Sequence, residues 1–349
     1  MPAPPAWGAT APTSGLSPMT IDRRTLRGED VAIDIAYCGV CHSDLHAARN
    51  DWGRTRYPFV PGHEIVGTVR AVGPGVTRFK VGDRVAVGTV VDSCRHCDAC
   101  EEGEENYCRE GSTGTYNGKD RIDGSPTYGG YSASIVVAEP FVLRVPENLD
   151  MAAAAPLLCA GITTYSPLRN WNVGAGIRVG VIGLGGLGHM GVKFAKALGA
   201  EVTMITTSPA KGEDAKKLGA DHVLVSTDKQ AMRAATRSFD FLLDTVPVKH
   251  DVTPYLHLLD KQGTLCIVGM IEMMEPFHSG LLLGGQRAVS GSGVGGIAQT
   301  QEMLDLCGEK GITAEVELIR MDEINHAFER MERADVKYRF VIDMGTITA

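Results

Sequence analysis

The feature that most constrains the fold is a glycine-rich turn, GLGGLG at residues 183–188, which directly follows the apolar run RVGVI at 178–182. The apolar run predicts a buried strand, and a helical pattern begins after the turn, near His189. A strand, a glycine turn and a helix in this order are typical of a parallel sheet with right-handed crossover connections. The chain is therefore expected to contain a doubly wound α/β domain.

The same alternation of strand and helix continues along the chain. Further strands are predicted at residues 201–206, 222–225, 239–244 and 263–268. Helical patterns lie between them, for example at 189–198, so helices should cover both faces of the sheet. After residue 293, a helix at 299–309 and a strand at 338–343 follow without a second phosphate-binding turn.

The first part of the chain has a different pattern. Segments rich in β-forming residues, separated by Gly or Pro, occupy 31–37, 65–72, 84–91 and 134–145. They predict mostly antiparallel β structure. At 150–158 the composition changes to Ala and Leu, which favours a helix, and a different domain is predicted to start near Cys159.

The composition excludes several classes of protein. Of the 349 residues, 44% are hydrophobic and 22% are charged, as in a globular protein and unlike a disordered or membrane-dominated chain. A net charge of -8 without a Lys/Arg cluster argues against nucleic acid or an anionic membrane as a partner. Residues 1–18 lack the pattern of a signal peptide and no apolar run reaches spanning length, so a cytoplasmic protein is predicted.

The nine cysteines favour metal binding over disulfides, because their number is odd and the chain is long. Successive Cys-x-x-Cys steps bring sulfurs close enough to share one tetrahedral zinc ion at ~2.3 Å. The alternatives are chance cysteines in a loop or a redox pair. Four thiolates leave no open coordination position, so this zinc should stabilise the lobe at 92–109 without taking part in chemistry. The predicted ligands are Cys94, Cys97, Cys100 and Cys108.

The glycine-rich turn is also a candidate site for a dinucleotide. Glycines allow the backbone to approach a pyrophosphate closely, and the following helix offers free amides and the positive end of its dipole. The predicted contacts are Gly183, Gly185, Gly186, Leu187 and Gly188.

The end of the second strand indicates which dinucleotide is bound. An acidic residue that grips the ribose of NAD is expected ~20 residues after the turn, but the sequence there is ITTSPAK. No carboxylate precedes Glu213 to repel a 2′-phosphate, so NADP(H) is predicted. The alternative is that these are ordinary turn residues and a solvated lysine. The candidate phosphate contacts are Thr206, Thr207, Ser208 and Lys211.

Two further segments, GVCHSDLH and VPGHEIVG, are weak signals singly but informative in combination. GHE followed by G-x-V, upstream of a four-cysteine lobe and a glycine-rich nucleotide turn, resembles the zinc-dependent medium-chain alcohol dehydrogenases. AYCGVCHSD, PGHE, TYGGYS, LLCAGITTY, GLGGLGH and DVKYRFVID resemble their cinnamyl-alcohol-dehydrogenase branch. The resemblance covers nearly the whole chain.

The resemblance implies a GroES-like, mostly-β catalytic domain, residues 1–158 completed by 295–349, and a Rossmann cofactor domain at 159–294. It also implies a catalytic zinc on Cys41, His63 and Cys159 with an open fourth position, and hence two zinc ions per chain. Glu64 has two interpretations, either a partner outside the coordination sphere or an alternate zinc ligand. Asp44 is expected to orient His63 or to cap a helix.

The implied activity is hydride transfer between NADP(H) and a primary alcohol or aldehyde, aromatic or medium-chain, with zinc polarising the carbonyl. Ser43 and His46 are expected to relay the proton; alternatively, they are a helix cap and a solvated surface residue. Trp52, Tyr116 and Leu282 are candidates for the pocket wall or for ordinary core. Further implied cofactor contacts are His42, Thr163, Gly269, Ser292 and Arg339.

Two other functions are compatible with parts of the pattern. A zinc-free quinone or enoyl reductase of the same superfold would not need the three catalytic-zinc ligands. A non-catalytic zinc protein that senses nicotinamide nucleotides would not need the relay. The family resemblance further implies a homodimer that pairs through the cofactor-domain sheet near Gly291.

Overall fold

A computed structural model describes residues 3–269 and 273–348. The chain forms two compact units, one of Met1–Cys159 with Gly295–Ala349 and the other of Ala160–Val294. Short 3-10 turns also occur, among them Glu139–Phe141 and Ala155–Leu158.

The strands, in chain order, are β1 Pro5–Gly8, β2 Ser17–Thr20, β3 Asp30–Gly39, β4 Ile65–Val72, β5 Arg84–Val87, β6 Val90–Asp92, β7 Thr113–Gly114, β8 Ser134–Ala138, β9 Leu143–Arg144, β10 Arg178–Ile182, β11 Glu201–Thr206, β12 His222–Val225, β13 Phe239–Asp244, β14 Leu259–Ile267, β15 Ala288–Gly291, β16 Val316–Arg320 and β17 Arg339–Asp343. The helices are α1 His42–Ala48, α2 Asp98–Glu101, α3 Met151–Ala154, α4 Ala160–Asn170, α5 Gly188–Ala197, α6 Pro209–Lys217, α7 Lys229–Ala234, α8 Thr253–Leu256, α9 Gly280–Leu283, α10 Ile297–Lys310 and α11 Ile324–Glu332.

The first unit is built on a mixed sheet with the order β16-β17-β3-β4-β5-β9, in which β8 also pairs with β3. Its central strand β3 is antiparallel to β4, β8 and β17. Apolar side chains on these strands, such as Ile33, Ile65 and Phe340, are fully buried. The predicted GroES-like, mostly antiparallel β architecture is confirmed.

Some predicted strands of this unit are wrong in detail. The segment 84–91 is two strands that join different sheets, with Gly88 and Thr89 between them. The segment 134–145 is interrupted by the turn Glu139–Phe141, where Pro140 lacks the N–H that a continuing strand would donate. The Pro- and Ala-rich start, for which no strand was predicted, forms β1 and pairs with β2.

The second unit contains an all-parallel sheet with the order β12-β11-β10-β13-β14-β15. Strand β10 lies in the middle, and its Val179 and Val181 are fully buried, as its unbroken apolar run predicts. The predicted doubly wound sheet is confirmed. Parallel strands end at a common edge, so the turn after β10 lies at the same edge as the ends of β11, β13 and β14.

Among the described residues, no single helix is long and apolar enough to cross a membrane. Met151–Leu158 and Ala160–Asn170 would meet that test of length and composition only if taken together as a bent pair.

Candidate active site

Four side chains of the first unit converge on one buried point. The ligand atoms of Cys41, His63, Glu64 and Cys159 lie within 4.8 Å of one another. Cys41 follows β3, whereas His63 and Glu64 precede β4, the strand paired with β3, so the sheet brings these three together. Cys159 follows the turn Ala155–Leu158. The structure thus brings together the three predicted zinc ligands and the predicted alternate ligand.

The geometry of this group suits zinc. The sulfurs of Cys41 and Cys159 are 3.9 Å apart, close to the edge of about 3.8 Å expected for a tetrahedron with Zn–S bonds of ~2.3 Å. A hydrogen bond shared with Cys159 holds the pKa of Cys41 well below its ordinary value, although burial acts in the opposite direction. The thiolate is the form that binds metal. Two thiols, an imidazole and a carboxylate form a donor set that zinc prefers.

Glu64 is held at one oxygen and unpartnered at the other. Its Oε1 accepts from the guanidinium of Arg339, while Oε2 is buried with no hydrogen-bond partner among the described residues. A methyl group at Gly39 would overlap this second oxygen, so only glycine leaves room for the carboxylate. Burial raises the pKa of Glu64 to about 7, although Arg339 opposes this shift. The orphaned oxygen is available to a metal ion.

Arg339 lies within this same buried cluster. Its side chain is 5% exposed and its net pKa is raised, because Glu64 and the neighbouring thiols outweigh the effect of burial. The sequence resemblance implied a cofactor contact for Arg339, and its contact with Glu64 was not anticipated. The two residues are far apart in sequence, so no local pattern indicates their pairing.

Asp44 is fully buried behind the imidazole. Its Oδ1 lies 3.2 Å from Nδ1 of His63, which leaves Nε2 of the imidazole to face a metal. The carboxylate also accepts the N–H of Cys41 at 2.9 Å and that of Gly62 at 3.0 Å. The bond to Cys41 closes the first turn of α1. Both interpretations of Asp44, orienting group and helix cap, therefore describe contacts present in the structure.

The predicted relay residues lie on α1. Ser43 is half-buried, and His46 has a side chain that is 41% exposed, with Nδ1 2.8 Å from Oδ2 of Asp51. The Trp52 ring lies 5.7 Å from the His46 ring. The ring centroids of His42 and His46 are 6.3 Å apart. Burial lowers the pKa of His42.

Tyr116 packs directly on a predicted metal ligand. Its ring meets that of His63 edge to face, with centroids 5.4 Å apart, and also contacts Phe59 at 5.1 Å. The sequence left open whether Tyr116 lines a pocket or belongs to the core, and the structure places it beside the metal group. Leu282, the third pocket candidate, lies on α9 and packs on the core of the second unit.

The four-cysteine lobe forms the other metal group, and its ligand atoms also lie within 4.8 Å of one another. The sulfur of Cys100 is 3.8 Å from that of Cys94 and 3.5 Å from that of Cys97. Backbone N–H groups of Cys94 and Arg109 donate to the sulfurs of Cys108 and Cys97, each at 3.4 Å. These donors stabilise thiolates, so the lobe fits the predicted structural zinc.

The remaining cysteines, Cys38, Cys266 and Cys307, are fully buried.

The glycine-rich turn has the geometry that a dinucleotide needs. Gly183 has a φ of +89°, and a methyl group at Gly188 would overlap the carbonyl oxygen of Gly183. Beside Gly185 the space is open. Helix α5 starts after Leu187, whose side chain cannot cap the first turn, so an anion can take that place. Gly186 completes the turn between these residues.

The residues predicted for the 2′-phosphate lie at the end of β11 and the start of α6. Oγ1 of Thr206 accepts the N–H of Ser208, and Thr207 is exposed. Nζ of Lys211 donates to the carbonyl of Leu184 at 3.4 Å, which places the ammonium group beside the glycine-rich turn.

The other predicted cofactor residues of this unit are scattered. Thr163 is buried on α4, and Gly269 follows β14, where a methyl group would overlap the carbonyl of Val246. Oγ of Ser292, after β15, is buried with no partner among the described residues.

Sequence reasoning did not single out Tyr131. This residue is fully buried, and its hydroxyl lies 3.3 Å from Oδ2 of Asp44. The motif TYGGYS contains it, but nothing in the motif indicates which tyrosine turns inward or what it contacts. The glycines before it were the available signal, because they mark a close approach of backbone.

Comparison with known proteins agrees with this geometry. A family model described as "Alcohol dehydrogenase GroES-like domain" matches residues 27–147, and one described as "Zinc-binding dehydrogenase" matches residues 186–309. The chain is 54% identical to aldehyde reductase YahK of Escherichia coli, in an alignment that covers 98% of this chain and 99% of that protein.

Solved structures are similar over their full length. Cinnamyl alcohol dehydrogenase from Sorghum bicolor has a TM-score of 0.95 and 47% identity, with 99% of each chain covered. A cinnamyl alcohol dehydrogenase from Helicobacter pylori, complexed with NADP(H), has a TM-score of 0.92 and 39% identity at the same coverage. The protein therefore belongs to the zinc-containing medium-chain alcohol dehydrogenases, in their cinnamyl-alcohol-dehydrogenase-like branch.

Proposed function

We propose that this enzyme is an NADP(H)-dependent alcohol dehydrogenase that works as a reductase of aldehydes to primary alcohols. The observation that carries the proposal is the buried donor set of Cys41, His63 and Cys159, with Glu64 beside it. The similar Escherichia coli protein is an aldehyde reductase, and the similar Helicobacter pylori enzyme was crystallised with NADP(H). A zinc-free quinone or enoyl reductase would have no use for this donor set. A nucleotide sensor would not need it either.

Cys41, His63 and Cys159 would hold a zinc ion, which would supply the Lewis acid that reduction of an aldehyde by NADPH requires. Oδ1 of Asp44 lies 3.2 Å from Nδ1 of His63, a position that favours Nε2 as the imidazole nitrogen that would face the metal. Arg339 donates to Oε1 of Glu64, which leaves the unpartnered Oε2 as the oxygen that would serve as an alternate ligand. The Tyr116 ring packs edge to face against the His63 ring, and this apolar contact favours exclusion of water from that side.

Ser43 and His46 are proposed to deliver the proton that the product alcohol requires. The imidazole of His46 is partly exposed and is held by Asp51, so it can exchange protons with solvent. Ser43 precedes it on the same turned segment, α1, nearer to Cys41. A hydroxyl followed by an imidazole provides a path from a buried site to bulk water.

Replacing His46 with alanine should lower kcat for aldehyde reduction roughly 10²-fold near neutral pH, because general acid–base groups contribute about 10² to 10⁴. The KM for NADPH and the zinc content should stay at wild-type values. Added imidazole should restore part of the rate. The control is His326→Ala, which removes an exposed histidine on α11 that also has a carboxylate partner, Glu329. A His46→Ala enzyme with the same kcat as the control would contradict the relay.

The substrate class is tested with a panel of aromatic, medium-chain and short aldehydes, each with NADPH and with NADH. The aromatic rings of Trp52 and Tyr116 beside α1 and His63 support an apolar substrate. We expect broad activity with the highest kcat/KM for aromatic or medium-chain aldehydes and NADPH. Reduction of quinones or enones in place of aldehydes would favour the zinc-free type of chemistry instead.

The two parts of the chain have different proposed roles. Residues 1–158 with 295–349 are assigned to catalysis and 159–294 to the cofactor. Strand β15 is an edge strand, and Leu283, shortly before it in the chain, is 82% exposed, which supports a homodimer formed by pairing of these edges. Free thiols grouped as metal ligands support a reducing, cytoplasmic setting.

A further inference from the structure

From these contacts we infer that Tyr131 is a positioning residue of the catalytic metal site, acting on His63 through Asp44. The inference rests on the proposed function, because it assumes that His63 binds zinc. The tyrosine side chain is fully buried, and its hydroxyl donates to Oδ2 of Asp44 at 3.3 Å. The other oxygen of that carboxylate is the one that faces Nδ1 of His63.

The carboxylate of Asp44 needs several donors because it is fully buried. An unpaired buried charge costs free energy. When one donor is lost, the remaining donors alone determine the orientation of the carboxylate. Two of the donors are backbone N–H groups, those of Cys41 and Gly62, which no substitution of a side chain removes. Within the described part of the chain, the hydroxyl of Tyr131 is the side-chain group that donates a hydrogen bond to Asp44, so a substitution at residue 131 can remove that donor.

The backbone of Tyr131 is aligned with the segment that leads into His63. The N–H of Tyr131 donates to the carbonyl of Pro61 at 3.0 Å, and that of Gly130 donates to Gly62 at 2.8 Å. A methyl group at Gly129 would overlap the carbonyl of Pro61. The glycines thus permit a close backbone approach between the segment that contains Tyr131 and the segment that leads into His63.

Arg23 also holds the segment around Tyr131, through contacts with residues 128–132. Its guanidinium donates to the carbonyls of Tyr128 at 2.5 Å and Gly129 at 2.8 Å, and to Oγ of Ser132 at 2.6 Å. The turn is consequently held both by Arg23 and by the chain before His63. A hydroxyl placed this rigidly can define the position of a carboxylate rather than merely fill space.

The test is Tyr131→Phe, which keeps the ring and removes only the hydroxyl. We expect the affinity of the catalytic zinc, measured by competition with a chelator, to fall about 10- to 100-fold, as for other groups that orient a zinc-bound histidine. The absorption bands of cobalt placed in that site should shift, since they report ligand geometry. The matched control is Tyr57→Phe, which removes a hydroxyl that donates to the carbonyl of Ala48 at 2.7 Å in the same unit.

A double-mutant cycle with Asp44→Asn separates positioning from packing. If Tyr131 acts through Asp44, adding Tyr131→Phe to Asp44→Asn should weaken zinc binding little further. Wild-type zinc affinity and an unchanged cobalt spectrum in Tyr131→Phe, or effects that add fully to those of Asp44→Asn, would overturn the inference. If the wild-type protein itself bound no zinc at Cys41, His63 and Cys159, the proposed function would fail instead, and the two failures are distinguishable.

Discussion

Replacing Cys41 with serine should leave one zinc ion per chain where the wild-type protein binds two, and should lower kcat/KM for aldehyde reduction by at least ~10³-fold. A serine hydroxyl is a poor ligand for zinc at neutral pH, and the remaining donors, His63, Glu64 and Cys159, would lie around an incomplete site. Zinc is counted by elemental analysis of the purified protein, and the rate is followed by the absorbance of NADPH.

The matched control is Cys38→Ala. Cys38 lies three residues earlier, near the end of strand β3, is fully buried and is not a member of either metal group. Its removal should leave both zinc ions in place and the rate close to that of the wild type. Retention of two zinc ions and of activity in Cys41→Ser would show that the buried group is not the catalytic centre.

Cys97→Ser provides the contrast between the two metal groups. It should release the other zinc ion, lower the melting temperature and expose the lobe at 92–109 to proteolysis, because four thiolates hold that lobe together. The catalytic zinc should remain bound, so a folded fraction of this variant keeps its activity. Cys41→Ser should show the reverse, a stable lobe and no turnover.

The sequence predicts a strand well when the residues of that strand carry the pattern, and poorly when the strand depends on its neighbours in the sheet. Strands β10, β11 and β13 match their predicted bounds because each contains several buried apolar residues and ends in a recognisable turn. Strands β15 and β16 were missed, since both are short and only partly buried and are defined mainly by their neighbours in the sheet. Pairing partners that are distant in sequence leave no periodic signal in either segment.

The residues of the two metal groups likewise include some that a local pattern predicts and others that it does not. Spacing alone indicates the four-cysteine lobe, because its ligands lie within one short loop. Cys159 is 118 residues from Cys41, so only family resemblance could associate them. The contacts of Glu64 with Arg339 and of Asp44 with Tyr131 join residues far apart in the chain, and each depends on how the sheets bring them together. Such contacts require the tertiary structure.

Cofactor choice should depend on Lys211 and on the absence of an acidic residue at the end of β11. Lys211→Ala should lower kcat/KM for NADPH about 10- to 100-fold and leave that for NADH nearly unchanged, because a hydrogen bond to a charged group contributes about 1.5–3 kcal/mol. Its ammonium group already lies beside the glycine-rich turn, at Leu184. The control is Lys216→Ala, on the same helix near its other end.

Thr207→Asp tests the same site by introducing a charge where none exists. Thr207 is exposed, so the substitution should not disturb the core of the second unit. A carboxylate there repels a 2′-phosphate and can accept hydrogen bonds from the ribose hydroxyls of NAD, so the ratio of kcat/KM for NADPH over NADH should fall at least ~10²-fold. Equal losses with both cofactors in Lys211→Ala would mean that the lysine supports the turn through Leu184 instead. An unchanged ratio in Thr207→Asp would place the 2′-phosphate elsewhere.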